Sequence, residues 1–120
     1  MSLLTTILAT IVALEHLYIF YLETIATGSD KTSQTFNMSK EELARPSVAV
    51  LFKNQGIYNG LLAVFLLYGI FISHNLEIVT IFILYVIGAA VYGAMTSNKA
   101  ILLKQGGPAI LALLSSLLLG

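Results

Sequence analysis

The stretch LLTTILATIVALEHLYIFYLETIA, residues 3–26, decides the fold. It is apolar almost throughout, and a bilayer core of about 30 Å needs roughly 20 mainly apolar residues per helix. Working outward, three more stretches meet or approach that requirement: 48–72, 78–97 and 101–119. The expectation is an all-α chain, a four-transmembrane-helix bundle in which residues 1–120 form a single membrane domain. One connection, 27–47, is long enough to have structure of its own.

Composition points the same way. Of 120 residues 58% are hydrophobic and 10% charged, against about 25% charged in a soluble domain. A soluble fold of this size leaves too much of its area in water to hide that much apolar surface. The net charge is zero and the basic residues are scattered, so nucleic acid is not expected as a partner; the lipid bilayer is. The absence of cysteine excludes disulfides, thiolate zinc sites, iron–sulfur clusters and thiol redox catalysis. The first stretch is too long, and too free of an N-terminal basic cluster, for a cleaved signal peptide, so it is expected to remain as a span.

Orientation follows from Lys and Arg, which are retained on the cytoplasmic side. Lys31, Lys40, Arg45 and Lys53 lie in or beside the first connection, and Lys99 and Lys104 flank the third. The two ends and the second connection, Ser73 to Glu77, have neither. Both termini are therefore expected on the non-cytoplasmic side. Within the first connection, Gly28-Ser29-Asp30 reads as a turn. Ser39-Lys40-Glu41-Glu42 has the spacing of a capping box, predicting a short helix from Lys40 to Ala44 that stops at Pro46. Lys53-Asn54-Gln55-Gly56 and Lys104-Gln105-Gly106 echo one another at the openings of the second and fourth spans.

The polar residues inside the spans carry what functional signal there is. An ionisable side chain in lipid costs about 2.5–3.5 kcal/mol on insertion scales, and such groups usually mark a site. Glu15, His16 and Glu23 lie in the first span, and at about 100° per residue His16 and Glu23 share a face. Asn54, Gln55, Tyr58 and Asn59 occupy an arc of about 140° on the second span. Tyr85 and Tyr92 lie on the third, and Gln105 on the fourth. Together they predict a polar pocket open to the cytoplasm, with Asn54, Gln55, Tyr58, Asn59, Tyr92 and Gln105 as ligand-binding candidates. Glu15, His16 and Glu23 are the acid–base candidates. Interhelical amide and tyrosine bonds, beside small residues such as Gly56, Gly60 and Gly88, also serve as ordinary glue in membrane bundles. A single histidine among carboxylates of one helix is a poor zinc set, so no metal is expected. Phosphate loops, dinucleotide fingerprints and nucleophile motifs are absent, and no cofactor is implied.

The segments Ala13-Leu14-Glu15-His16-Leu17-Tyr18-Ile19-Phe20-Tyr21-Leu22-Glu23 and Phe52-Lys53-Asn54-Gln55-Gly56-Ile57-Tyr58-Asn59-Gly60 resemble the domain-of-unknown-function family numbered 1304. So do Ala90-Val91-Tyr92-Gly93-Ala94 and Gln105-Gly106-Gly107-Pro108-Ala109. The resemblance implies a small multi-pass protein of the bacterial inner membrane and supplies no activity. The residues themselves favour binding or transport of a small amphipathic molecule, with Glu15 and His16 exchanging protons and Phe20, Leu62 and Tyr85 as apolar walls. Transport by so thin a bundle would call for a homo-oligomer. Two alternatives stay open. One is an intramembrane acid–base enzyme acting on a lipid-soluble substrate; the other is a structural or assembly subunit.

Overall fold

The computed structural model describes residues 1–97 and 102–120, without the side chains of 102 and 103. Lys99, used in the orientation argument, and Ile101, the expected start of the last span, lie outside the described residues. Those described contain helices and turns and no strand. The helices are α1 (Leu3–Phe20), α2 (Asp30–Phe36), α3 (Lys40–Ala44), α4 (Pro46–Leu67), α5 (Leu76–Thr96) and α6 (Gly107–Leu119). Wider i→i+5 turns extend α1 over Tyr21–Ile25 and α4 over Tyr68–Ile72, and a third, Leu102–Gly106, leads into α6. With these turns included, Leu3–Ile25, Pro46–Ile72 and Leu76–Thr96 are long and apolar enough to cross a membrane, whereas Lys104–Leu119 is shorter.

Local chemistry explains the boundaries. Ser2 Oγ accepts from Thr5 N at 3.1 Å at the start of α1. Ser29 Oγ accepts from Thr32 N at 3.2 Å to start α2, which ends at Asn37 in the left-handed region (φ 53°, ψ 48°). Ser39 caps α3 by accepting from Glu42 N at 3.1 Å. The reciprocal half of the expected capping box is replaced, because the Glu42 carboxylate meets Arg45 at 3.2 Å instead; a guanidinium is a stronger partner than a neutral N–H. Arg45 is extended (φ −64°, ψ 129°), as a residue before proline must be, and Pro46 then opens α4 where its missing N–H costs nothing. Asn75 caps α5 through Ile78 N at 3.1 Å.

The chain forms two compact units. One comprises Met1–Glu15 and Ala63–Gly120. Its interior is lined by small or β-branched residues, Ala9, Ala13, Val79, Val86, Ala90 and Ala109 among them, which let helices pack closely. Gly69 is such a contact: a Cβ there would stand 2.8 Å from Ile78 Cγ2. Thr5 Oγ1 and Ser115 Oγ share a buried hydrogen bond of 2.6 Å, and Ser2 N donates to Gly120 O at 2.7 Å. The other unit, His16–Leu62, buries Ile19, Leu22, Leu43 and Leu62. The rings of Phe36 and Phe52 meet edge to face at 5.2 Å. Large apolar side chains also cover outward surfaces, including Ile72, Met95, Leu117 and Leu118. Such a skin is the reverse of what water selects.

Candidate functional site

The residues that come together lie in the unit His16–Leu62. Glu23 sits in the wide turn Tyr21–Ile25 at the end of the first apolar helix. Wide turns of this kind concentrate at functional positions in helices because they re-aim a side chain. Its side chain is 6% exposed, and Asn59 Nδ2 of α4 donates to Glu23 Oε1 at 2.6 Å. This is a short, charge-assisted bond when the carboxylate is ionised.

Two contacts one turn away hold the pair in register. Thr24 Oγ1 donates to the backbone carbonyl of Lys53 at 2.9 Å. Gly56 faces the same place: a Cβ there would overlap Thr24 Oγ1 and stand 3.0 Å from both Glu23 Cβ and Thr24 N. Gly60 repeats the pattern against the ring of Phe20, whose Cδ1 would lie 3.0 Å from an added Cβ. The two glycines are what allow α4 to approach so closely that a short amide reaches a carboxylate.

The turn is further tied down by the segment that follows it. Thr27 Oγ1 donates to Glu23 O at 2.7 Å. Thr32, fully buried, places Oγ1 2.7 Å from Ala26 O and 3.1 Å from Leu22 O. Helix α2 therefore satisfies carbonyls that the end of the apolar helix leaves open. Lys40 Nζ meets Asp30 Oδ1 at 2.9 Å on the exposed side of α2 and α3. That hydrogen bond, with the charge of Lys40, holds the Asp30 carboxyl below the usual aspartate range.

Of the candidates read from sequence, Glu23 and Asn59 are brought together. His16 is buried in the same unit at 5% exposure. Asn54, Gln55 and Tyr58 are exposed, Tyr58 by 65%. Helical geometry explains the exposure of Asn54, which stands about 140° from Asn59 around α4. In the other unit, Glu15 has a buried Oε1 with no hydrogen-bond partner among the described residues. Tyr92 there is exposed and Gln105 half-buried. Of the expected walls Phe20 is half-buried, Leu62 buried and Tyr85 exposed. Among the described residues no group of three or more His, Asp or Glu could hold a metal ion. Thr24 and Thr32 escaped the sequence reading. Their signal, a hydroxyl at a span end and another just beyond it, has no meaning until a partner carbonyl is located.

Glu23, Asn59 and the residues around them fall within a stretch with known relatives. The chain is 61% identical over 117 residues to the protein YpaA of Lactococcus lactis, described as uncharacterised, covering 97% of this chain and 98% of that protein. No solved structure matches. A family model described as protein of unknown function (DUF1304) matches residues 10–117, and the chain belongs to that family.

Proposed function

We propose that this is a four-span protein of the bacterial inner membrane whose polar intramembrane residues hold the polar end of a small amphipathic molecule, for binding or transport. The observation that carries this reading is the 2.6 Å bond from half-buried Asn59 to the buried Glu23 carboxyl at the end of an apolar helix. Structural glue between helices does not require a titratable group, and an ionisable one is costly in lipid.

The topology rests on charge and length. Three helices are long and apolar enough to span, and the shorter apolar stretch through Leu119 is read as the fourth. The distribution of Lys and Arg then puts both termini outside and the connection 27–47 in the cytoplasm. Pro46–Ile72 has 27 residues, about 40 Å of helix at 1.5 Å each. That exceeds a 30 Å core by about two turns. With Ile72 at the outer boundary, Lys53 falls at the inner one and Asn59 within the inner half. Glu23 and Asn59 would then form the base of a pocket reached from the cytoplasm, with Asn54, Gln55 and Tyr58 of the same unit as further polar anchors. Glu15 and His16 would exchange protons during turnover.

The exposure of Asn54, Gln55 and Tyr58 favours a second, compatible reading in which this face of α4 meets another copy of the chain. Amides at membrane depth need partners, and a neighbouring subunit provides them.

The test is native mass spectrometry of protein extracted directly into lipid nanodiscs. The expected result is a co-purified small amphiphile on the wild type that is depleted on Asn59→Leu, with helicity unchanged by circular dichroism. Equal occupancy of both proteins, or none on either, would remove the basis for a pocket at this pair.

A further inference from the structure

We infer that Glu15 is a bilayer-facing carboxylic acid near the middle of the first span, a site that holds one proton and that apolar, carboxyl-directed compounds modify. The inference deepens the proton exchange given to Glu15 above and rests on the membrane reading, but it does not require a pocket at Glu23 and Asn59.

The first argument is depth. Leu3–Ile25 is one apolar helical stretch of 23 residues. At 1.5 Å per residue Glu15 stands about 18 Å from its start and about 15 Å from its end. Long lysine and arginine side chains escape from such a position by reaching to the headgroups; a glutamate is too short to do so.

The second argument is the side of the helix on which Glu15 lies. Its neighbours on the helix surface are the residues three and four positions away. Ile11 and Tyr18 on one flank are 44% and 47% exposed, whereas Val12 and Ile19 on the other are buried. Leu14 beside it is exposed as well. Glu15 itself is half-buried, so it occupies the seam between the packed face of α1 and the face that meets lipid. Access to it is sideways, from the hydrocarbon.

The third argument is pairing. Oε1 of Glu15 is buried without a hydrogen-bond partner among the described residues. The ion pairs among those residues, Lys40 with Asp30 and Arg45 with Glu42, lie in the connection after the first span. His16, next in sequence, projects about 100° away around the helix. The other titratable side chains described in Glu15's own unit, Tyr68, His74, Glu77, Tyr85, Tyr92 and Lys104, are all exposed. A carboxylate ion with neither a counter-charge nor donors is the costliest state for a group in hydrocarbon, and taking up a proton removes the charge.

The experiment treats the full chain in lipid nanodiscs at neutral pH with dicyclohexylcarbodiimide, and separately with a water-soluble carbodiimide plus glycine ethyl ester. Carbodiimides react with the protonated acid. The carboxyl proton passes to one nitrogen of the reagent and a Glu15 oxygen bonds to its central carbon. The acyl group then shifts to the other nitrogen, leaving a stable N-acylurea that adds the reagent's whole mass. Peptide mass spectrometry should find the apolar adduct on Glu15 at least about tenfold above that on exposed Glu41 and Glu77, because an apolar reagent concentrates in the bilayer. The water-soluble reagent should show the reverse preference. In the infrared difference between wild type and Glu15→Gln, the carbonyl band of a carboxylic acid should appear at neutral pH. Glu15→Gln exchanges one neutral side chain for another of the same shape, so its helicity by circular dichroism should be unchanged. Carboxylate bands in that difference, or a Glu15→Gln chain that loses its fold, would overturn the proton. Glu15 left unmodified by the apolar reagent, or modified better by the water-soluble one, would overturn the bilayer-facing site. Either failure would remove proton exchange at Glu15 and leave amphiphile binding at Glu23 and Asn59 standing, since mass spectrometry of the Asn59→Leu protein tests that role separately.

Discussion

Replacing Gly56 with alanine sets two physical effects of opposite sign against each other. In an unencumbered helix the change is favourable by up to about 1 kcal/mol, because alanine loses less backbone entropy than glycine. Here the new Cβ would overlap Thr24 Oγ1 and press on Thr24 N at 3.0 Å. The hydroxyl cannot swing away freely, since threonine is stiff about χ1 and would forfeit its bond to the Lys53 carbonyl at 2.9 Å. That bond contributes about 1 kcal/mol, and the backbone nitrogen can be cleared only by moving a helix, at about 1–3 kcal/mol. The net expectation is a loss of about 1–3 kcal/mol. Reversible unfolding in mixed micelles, followed by far-ultraviolet circular dichroism, measures it. Gly88 on α5 provides the comparison, because a Cβ there meets nothing within 4 Å and Gly88→Ala should be neutral or stabilising. Adding Thr24→Ala to Gly56→Ala should recover part of the loss, as expected for residues in contact. A Gly56→Ala protein at least as stable as wild type would refute the close approach that positions Glu23 against Asn59.

Three further outcomes follow from individual contacts. Thr5→Ala should destabilise by about 1–3 kcal/mol by orphaning Ser115, and the Thr5→Ala/Ser115→Ala double variant should lose less than the two single changes together, read by the same unfolding assay. Thr32→Val preserves shape but removes the hydroxyl facing the Leu22 and Ala26 carbonyls; amide hydrogen exchange over α2 should rise by about tenfold or more. Asp30 should titrate below the ordinary aspartate range by carbon-13 NMR and return toward it in Lys40→Ala. Because its folded value is depressed, the associated stabilisation is present above the unfolded pKa and disappears as pH falls through the folded one. Its size is small because both side chains are exposed.

Much of the secondary structure could be read from residue chemistry alone. Long apolar runs announced helices at membrane length, and Ser39, three residues before Glu42, announced the cap of α3. What the Glu42 side chain does could not be read, because its choice between the cap N–H and Arg45 depends on relative strength and reach. Helix α2 was hidden behind Gly28-Ser29-Asp30, which reads equally as a turn. Its stability comes from Thr32 bonding to carbonyls of the preceding span, a tertiary effect. The polar arc of α4 was visible as a pattern, but an arc of about 140° is wider than the stripe one neighbouring helix covers. Only packing reveals that Asn59 faces Glu23 while Asn54 does not. Gly56 shows the same limit: glycine at a helix face signals close approach, and the structure supplies what is approached.

The absence of cysteine makes the most direct test of the four-span account simple. Single cysteines would replace Ser2, Gln34, His74 and Gly120 in turn, and a membrane-impermeant maleimide would be applied to intact spheroplasts and again after permeabilisation. The account predicts labelling at Ser2, His74 and Gly120 in intact spheroplasts, and at Gln34 only once the membrane is opened. Labelling of the Ser2 variant with protection of the Gly120 variant would mean an odd number of spans and would contradict it.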